Sequence, residues 1–177
     1  WPIDYDDLEP WYGRAEVALG VAGTGEEDQS GQAGAPFPPR STPYPLPPEG
    51  KTYLFQRLQS RLRELGYNFI HEPNARVTAP YDGRPACAGN NNCMPVCPIG
   101  AMYSGVVHVD HAEKAGAQLR TDATAYRLEK GEAGRIAAVH YRTSQGENVR
   151  LTARYFVVAC HGLETPKLLL MSEVANS

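Results

Sequence analysis

No apolar run in this chain is long enough to cross a bilayer. The longest, residues 155–160 and 168–171, fall far short of the roughly 20 residues a spanning helix requires, so no direct membrane span is expected. Charge of one sign is lacking too. Lys and Arg number 17 against 20 Asp and Glu, for a net charge of −3, and the two signs are interspersed. That leaves no basic field of the kind nucleic acid or an anionic lipid surface would need, so nucleic acid is not an expected partner. WPIDYDDLEPWY has neither the charged start nor the apolar centre of a secretory leader. No initiator Met heads the sequence and it stops just after a helix-like run, so both ends are expected to be cuts from a longer chain. Cysteine is scarce, at four residues, but three of them crowd into residues 87–97. An even count permits disulfides or metal ligation alike, and the clustering says more than the number.

What is present fits a globular protein. A hydrophobic content of 42% over 177 residues is enough for one real core. Residues 3–19 have helical spacing, with Leu8, Trp11, Ala15 and Leu19 on one side, and Pro10 places the start at about Asp7 to Glu9. From Gly20 to Gly50 the composition turns to Gly, Pro, Ser and Gln, which predicts a long loop. GVAGTG at 20–25 has no strand before it and no helix after it, so it reads as flexible loop rather than a phosphate cradle. Residues 51–65 form the clearest helix, with Leu54, Leu58, Leu62 and Leu65 along one face and Gly66 as the stop. YNFIH and ARVTA read as strands, and a short helix is expected near residues 110–115. AQLRT, TAYRLEK, RIAAVHYRT, NVRLTA and YFVVAC then follow as strand-like runs with turn signals KGEAG and SQGE between them. The middle three fit an antiparallel meander. YFVVAC is continuously apolar, as a parallel strand covered on both faces would be, and GLETPKLLLMS after it reads as a helix.

Cys87, Cys93 and Cys97 admit three readings. A disulfide would join only two of them. A structural zinc site wants four ligands and closer pairs than the five-residue gap allows. An iron–sulfur centre needs thiolates converging from a loop, and C-x3-C-P at 93–98 matches the tail of a ferredoxin-type run. Gly89 and Asn90 to Asn92 supply the turn conformations such a loop demands. Cys160 reads as a small buried hydrophobe at the end of a strand. His108 and His111 sit three apart but have no obvious further ligand, and His140 and Tyr141 alternate on a meander strand. DYDDLE reads as a helix N-terminal charge cluster.

A meander interrupting an α/β sheet resembles the second half of the FAD-binding domain in two-domain flavoproteins. WPIDYDDLEPWY, LRTDATAYRLEK and VVACHGLETPKLLLMS resemble stretches of the glucose–methanol–choline (GMC) oxidoreductase family, and CAGNNNCMPVCPIGAMYSG resembles the flavoprotein (large) subunit of bacterial dehydrogenase complexes that oxidise gluconate, fructose, sorbitol or glucose. The resemblance implies an α/β fold, as an α+β fragment of a two-domain FAD-binding flavoprotein, with an antiparallel β-meander inserted in a parallel nucleotide-binding sheet. It divides the chain into residues 1–104, a helical, Pro-rich and cysteine-bearing segment, and 105–177, the second half of the FAD-binding domain.

By motif match it places Ala125, Ala159, His161, Gly162 and Thr165 beside FAD, with Cys160 and His161 standing where the family has small residues. It also implies that Cys87, Cys93 and Cys97 ligate a 3Fe–4S cluster. The activity implied is oxidation of a CH–OH group of a sugar, sugar acid or polyol, with electrons leaving through the cluster to cytochrome c, in a complex with small subunits. Neither the family's G-x-G-x-x-G turn nor its catalytic His segment is in these residues, so no catalytic residue is assigned, and the fragment alone is expected to be inactive. The implied location is the periplasmic face of the inner membrane, reached through partner subunits; without the resemblance, the cytoplasm. The rival reading is a non-catalytic, metal-stabilised binding module whose Pro-rich residues 35–48 dock a partner in extended form.

Overall fold

A computed structural model describes residues 2–25, 37–67 and 69–174. Residues 26–36 of the expected Gly20–Gly50 loop, and Asn68 of YNFIH, lie outside the described residues. Contacts divide the chain into two compact units, Trp1–Asp110 and His111–Ser177.

Helix α1 spans Tyr5–Leu19. It begins earlier than Pro10 predicts because Asp4 and Asp7 form a capping box: the Asp7 N–H donates to Asp4 Oδ1 at 3.2 Å, and the Asp4 N–H to Asp7 Oδ2 at 3.1 Å. That cap outweighs the single helical hydrogen bond that Pro10 removes. At the other end Gly20 takes the left-handed conformation, φ 67°, and its N–H bonds Val17 O at 3.1 Å. A side chain there would sit 2.6 Å from Arg84 Nη2, so position 20 needs glycine twice over.

The GVAGTG stretch is not the flexible loop its composition predicts. Val21 and Ala22 are buried, and the Ala22 N–H and C=O bond Asn74 at 2.9 and 3.1 Å. Ala22, Leu46, Val77 and Ala101 form the core of this unit, with Cys87, Cys97 and Ile99 packed against it. The described residues of the expected strand YNFIH pair with nothing in a ladder, and ARVTA is reduced to one isolated bridge, Arg76 with Met102.

Helix α2 spans Tyr53–Glu64, with Thr52 Oγ1 accepting the Phe55 N–H at 3.2 Å. Its leucine face does not turn inward: Leu54 and Leu58 are exposed, while Gln59 is buried and donates to Phe69 O at 2.8 Å. Phe55 packs on Phe69 with ring centroids 4.9 Å apart. Helix α3 spans Val106–Lys114, beginning before the predicted 110–115.

The second unit holds the one sheet among the described residues. Strands β1 (Ala123–Lys130), β2 (Ile136–Thr143) and β3 (Asn148–Leu151) pair antiparallel in the order β1-β2-β3, the expected meander. The KGEAG turn carries a short 3-10 turn at Glu132–Gly134, and Gly146 in SQGE has φ 84°. Helix α4, His161–Met171, packs on β1. Ser172 Oγ accepts the edge-strand N–H of Leu128 at 2.8 Å and donates to Leu168 O at 2.6 Å.

Two predicted strands are not formed. AQLRT and YFVVAC have no ladder partners, and Tyr155 and Val157 are 85% and 91% exposed. A parallel strand gets its hydrogen bonds and its cover from neighbouring strands and helices, and none of the described residues supplies them.

Candidate functional site

The cysteine loop is anchored by one short stretch of backbone. At its start, the Cys87 N–H donates to Val77 O at 2.9 Å; at its end, the Val77 N–H donates to Ala101 O at 3.1 Å and the Tyr103 N–H to Ala75 O at 2.8 Å. The loop crosses glycine and asparagine in left-handed conformation, Gly89 at φ 70° and Asn91 at φ 51°, which is the use those residue types have in a tight path. All three loop cysteines are half-buried and free of disulfides.

Each thiol has a distinct environment. Cys87 Sγ accepts the Gly89 N–H at 3.3 Å, and Cys93 Sγ accepts from Arg76 Nη1 at 3.6 Å. At Cys97 the backbone N–H of Met102, and then those of Ile99, Ala101 and Gly100, stabilise the thiolate and hold the thiol below its ordinary range, against the opposing effect of burial. The three sulfurs are not gathered into one ligand set. Among the described residues, no group of three or more His, Cys, Asp or Glu side chains stands close enough to share a metal ion. The donor chemistry does suit a thiolate-bound centre: three free thiols on one loop, with backbone N–H groups and a guanidinium turned toward sulfur.

Arg76 was not singled out by sequence reasoning. Its guanidinium grips both oxygens of Glu49 through Nε and Nη2 and gives its remaining arm to Cys93. The partners lie 27 and 17 residues away, with no local signal linking them. Beside them a cleft of about 460 Å³ is bordered by Pro48, Glu49, Arg76, Thr78, Cys87 and Asn91.

Of the residues matched to FAD contacts, Ala159, His161, Gly162 and Thr165 come together around the start of α4, while Ala125 stands on β1 beside a register shift. Ala125, Ala159, His161 and Gly162 are exposed. Beyond its chain neighbours and its own helix backbone, no atom of the described residues lies within 4 Å of where a Gly162 side chain would begin, so a ligand can approach there. His161 occupies the left-handed region, φ 58°, uncommon for a side-chain-bearing residue. Its Nδ1 accepts the Leu163 N–H at 3.1 Å, an arrangement that leaves Nε2 as the outward ring nitrogen. Thr165 Oγ1 accepts the Cys160 N–H at 2.9 Å. Cys160 itself is exposed, not buried as read from sequence, because the strand it was to end is not formed.

The other candidates have structural partners. His108 Nδ1 lies 2.8 Å from the Tyr103 hydroxyl. His140 Nε2 lies 2.7 Å from Glu129 Oε2, and buried Tyr141 accepts from Arg120 Nη1 at 2.8 Å. In DYDDLE, Asp4 and Asp7 cap α1, and Glu9 accepts from the Ser41 N–H and hydroxyl, both at 2.7 Å.

Three known dehydrogenases are similar to almost the whole chain. The fructose dehydrogenase large subunit of Gluconobacter japonicus is 41% identical over 172 residues, which cover 97% of this chain and 31% of that protein. The 2-methyl-1,2-propanediol dehydrogenase of Mycolicibacterium austroafricanum is 30% identical over 97% of this chain and 30% of that protein. The gluconate 2-dehydrogenase flavoprotein of Pantoea cypripedii is 26% identical over 98% of this chain and 31% of that protein. The chain thus spans about a third of the length of these relatives. The sequence profile of the GMC oxidoreductase family matches residues 72–177, a stretch that takes in the cysteine loop, the meander and α4. On that match, the chain belongs to the GMC oxidoreductase family.

Proposed function

We propose that this chain is part of an FAD-dependent dehydrogenase that oxidises a CH–OH group of a sugar, sugar acid or polyol. The observation that carries the reading is the family match over residues 72–177, supported by similarity to proteins named as fructose and gluconate dehydrogenases. FAD, when bound, supplies the acceptor for the two electrons and hydrogen lost by the alcohol carbon. This chain's contribution is to binding. The exposed backbone at Ala159 and Gly162 and the strand backbone at Ala125 can lie against an adenosine moiety, and His161, its Nδ1 engaged by the Leu163 N–H, presents Nε2. Thr165 holds the turn through Cys160.

In the same reading Cys87, Cys93 and Cys97 hold a 3Fe–4S cluster, which would supply a one-electron relay toward a cytochrome partner in a complex with small subunits on the periplasmic face of the inner membrane. The free thiols, and the N–H groups that favour thiolate at Cys97, support the assignment.

The full-length protein tests both parts. Bound flavin, with dye reduction by a sugar or polyol, is the expected result; a flavin-free protein inert to every such donor overturns the dehydrogenase reading. Iron and sulfide analysis with EPR of the oxidised protein decides the cluster, since absent iron, or a Cys87→Ser variant with an unchanged spectrum, rules it out. Zinc without iron or flavin would favour the metal-stabilised binding module instead.

A further inference from the structure

We propose that Arg76 is the positioning residue of the cysteine loop, and that Glu49 orients it. Residues 75–77 reach the loop at three places. Val77 O holds its start at Cys87, and Ala75 O and the Val77 N–H hold its end at Tyr103 and Ala101. These are backbone bonds that any sequence could make. The middle of the loop is reached by a side chain: Arg76 Nη1 donates to Cys93 Sγ at 3.6 Å.

The fork geometry makes arginine specific. Nε and Nη2 are committed to the two Glu49 oxygens, which fixes the guanidinium plane and aims the third arm at sulfur. A lysine ammonium keeps the charge but cannot make the bidentate pair and reach Cys93 in one fixed plane. Glu49 in turn sits on a tethered segment, because Thr78 Oγ1 donates to Pro47 O at 2.7 Å. Both side chains are mostly buried, at 20% and 21% exposure, so solvent competes weakly for the pair.

Arg76 therefore fixes where Cys93 lies relative to Cys87, a role that does not depend on the cluster proposed above.

The experiment uses the full-length protein with Arg76→Gln, Arg76→Lys and Glu49→Gln. In metal-free protein, amide exchange across residues 88–96 is expected to speed at least tenfold in Arg76→Gln and Glu49→Gln, with exchange in the meander unchanged. Unchanged exchange across 88–96 overturns the positioning role. Should Arg76→Gln fail to fold, Glu49→Gln, which removes the orienting charge isosterically, decides alone. Arg76→Lys, which keeps the charge but not the fork, is expected to lose the same loop protection. Wild-type exchange across 88–96 in Arg76→Lys overturns the requirement for the guanidinium fork.

Discussion

The two units solve the same problem by different means. In His111–Ser177, the backbone largely satisfies itself: three antiparallel strands, with two register shifts between β1 and β2, two turns set by Gly131–Arg135 and Gly146, and a helix docked on β1. In Trp1–Asp110, outside its helices, side chains capture backbone across long distances. Tyr81 donates to Val17 O and buried Arg84 to Leu19 O, both at 2.7 Å, so a phenol and a guanidinium complete the α1 C-terminus, where no basic residue of the helix itself stands. Tyr5 donates to Pro39 O at 2.6 Å and Gln59 to Phe69 O at 2.8 Å in the same manner. Charge differs as well, since acidic side chains predominate in the first unit and basic ones in the second. A loop-rich unit whose order is held by scattered side chains can present reactive side chains such as three thiols on one loop, at the cost of concentrating its stability in a few contacts.

That contrast can be broken most directly at Val77. It is fully buried, and its backbone pins both ends of the cysteine loop. Val77→Asp places an unpaired charge in that core and is expected to cost about 3–5 kcal/mol, a large part of a typical domain's stability. Denaturant unfolding measures it, and faster amide exchange at Cys87 should accompany it. In the second unit the corresponding single point is Ser172. Ser172→Ala leaves the Leu128 N–H buried without its acceptor, an expected loss of about 1–3 kcal/mol. A smaller loss there than at Val77 is what a self-paired sheet predicts; an equal or larger one would show that the meander depends on its helix.

The same contrast explains what was legible in the sequence. TAYRLEK, RIAAVHYRT and NVRLTA, with KGEAG and SQGE between them, became the meander because strand alternation and turn chemistry are local. The spacing of Cys87, Cys93 and Cys97 marked the loop. GVAGTG misled, because its burial comes from Arg84, Tyr81 and Tyr44, side chains distant in sequence that close over glycine. The leucine stripe of α2 was correctly helical but gave the wrong inward face, since Phe69, beyond the helix, draws Phe55 and Gln59 instead. YFVVAC shows the limit of periodicity: a continuously apolar run has strand composition, and pairing still requires a neighbour. The pair Arg76 and Glu49 could not be read at all, being 27 residues apart with no motif between them.

Smaller effects sharpen the comparison at the surface. Thr52→Ala removes the side-chain cap of α2 and is expected to cost about 1 kcal/mol, read as a lower thermal midpoint and faster exchange in the first turn.

The smallest effect is expected at Glu129, where the second unit does use side chains. Its carboxylate accepts both arms of Arg150 at 2.8 Å and His140 Nε2 at 2.7 Å, across three strands of the sheet. The Arg150 bonds first, and the His140 bond after them, depress its pKa from 4.5 to about 2. In the unfolded chain the carboxyl returns to its ordinary value, so between about 4.5 and about 2 the unfolded state holds more protons than the folded one. The contribution is therefore complete above the higher value and is lost as the pH falls through this window. Glu129→Gln should flatten that part of the pH dependence while leaving stability near neutral pH little changed, because an exposed pair is screened by solvent and salt. Thermal midpoints of wild type and variant from pH 6 to pH 2, at low and high salt, measure it. A difference that narrows toward acid and shrinks in salt identifies a surface network laid over a sheet that is already paired. A difference that persists at pH 2 would instead make Glu129 a packing residue, and the second unit as dependent on side-chain capture as the first.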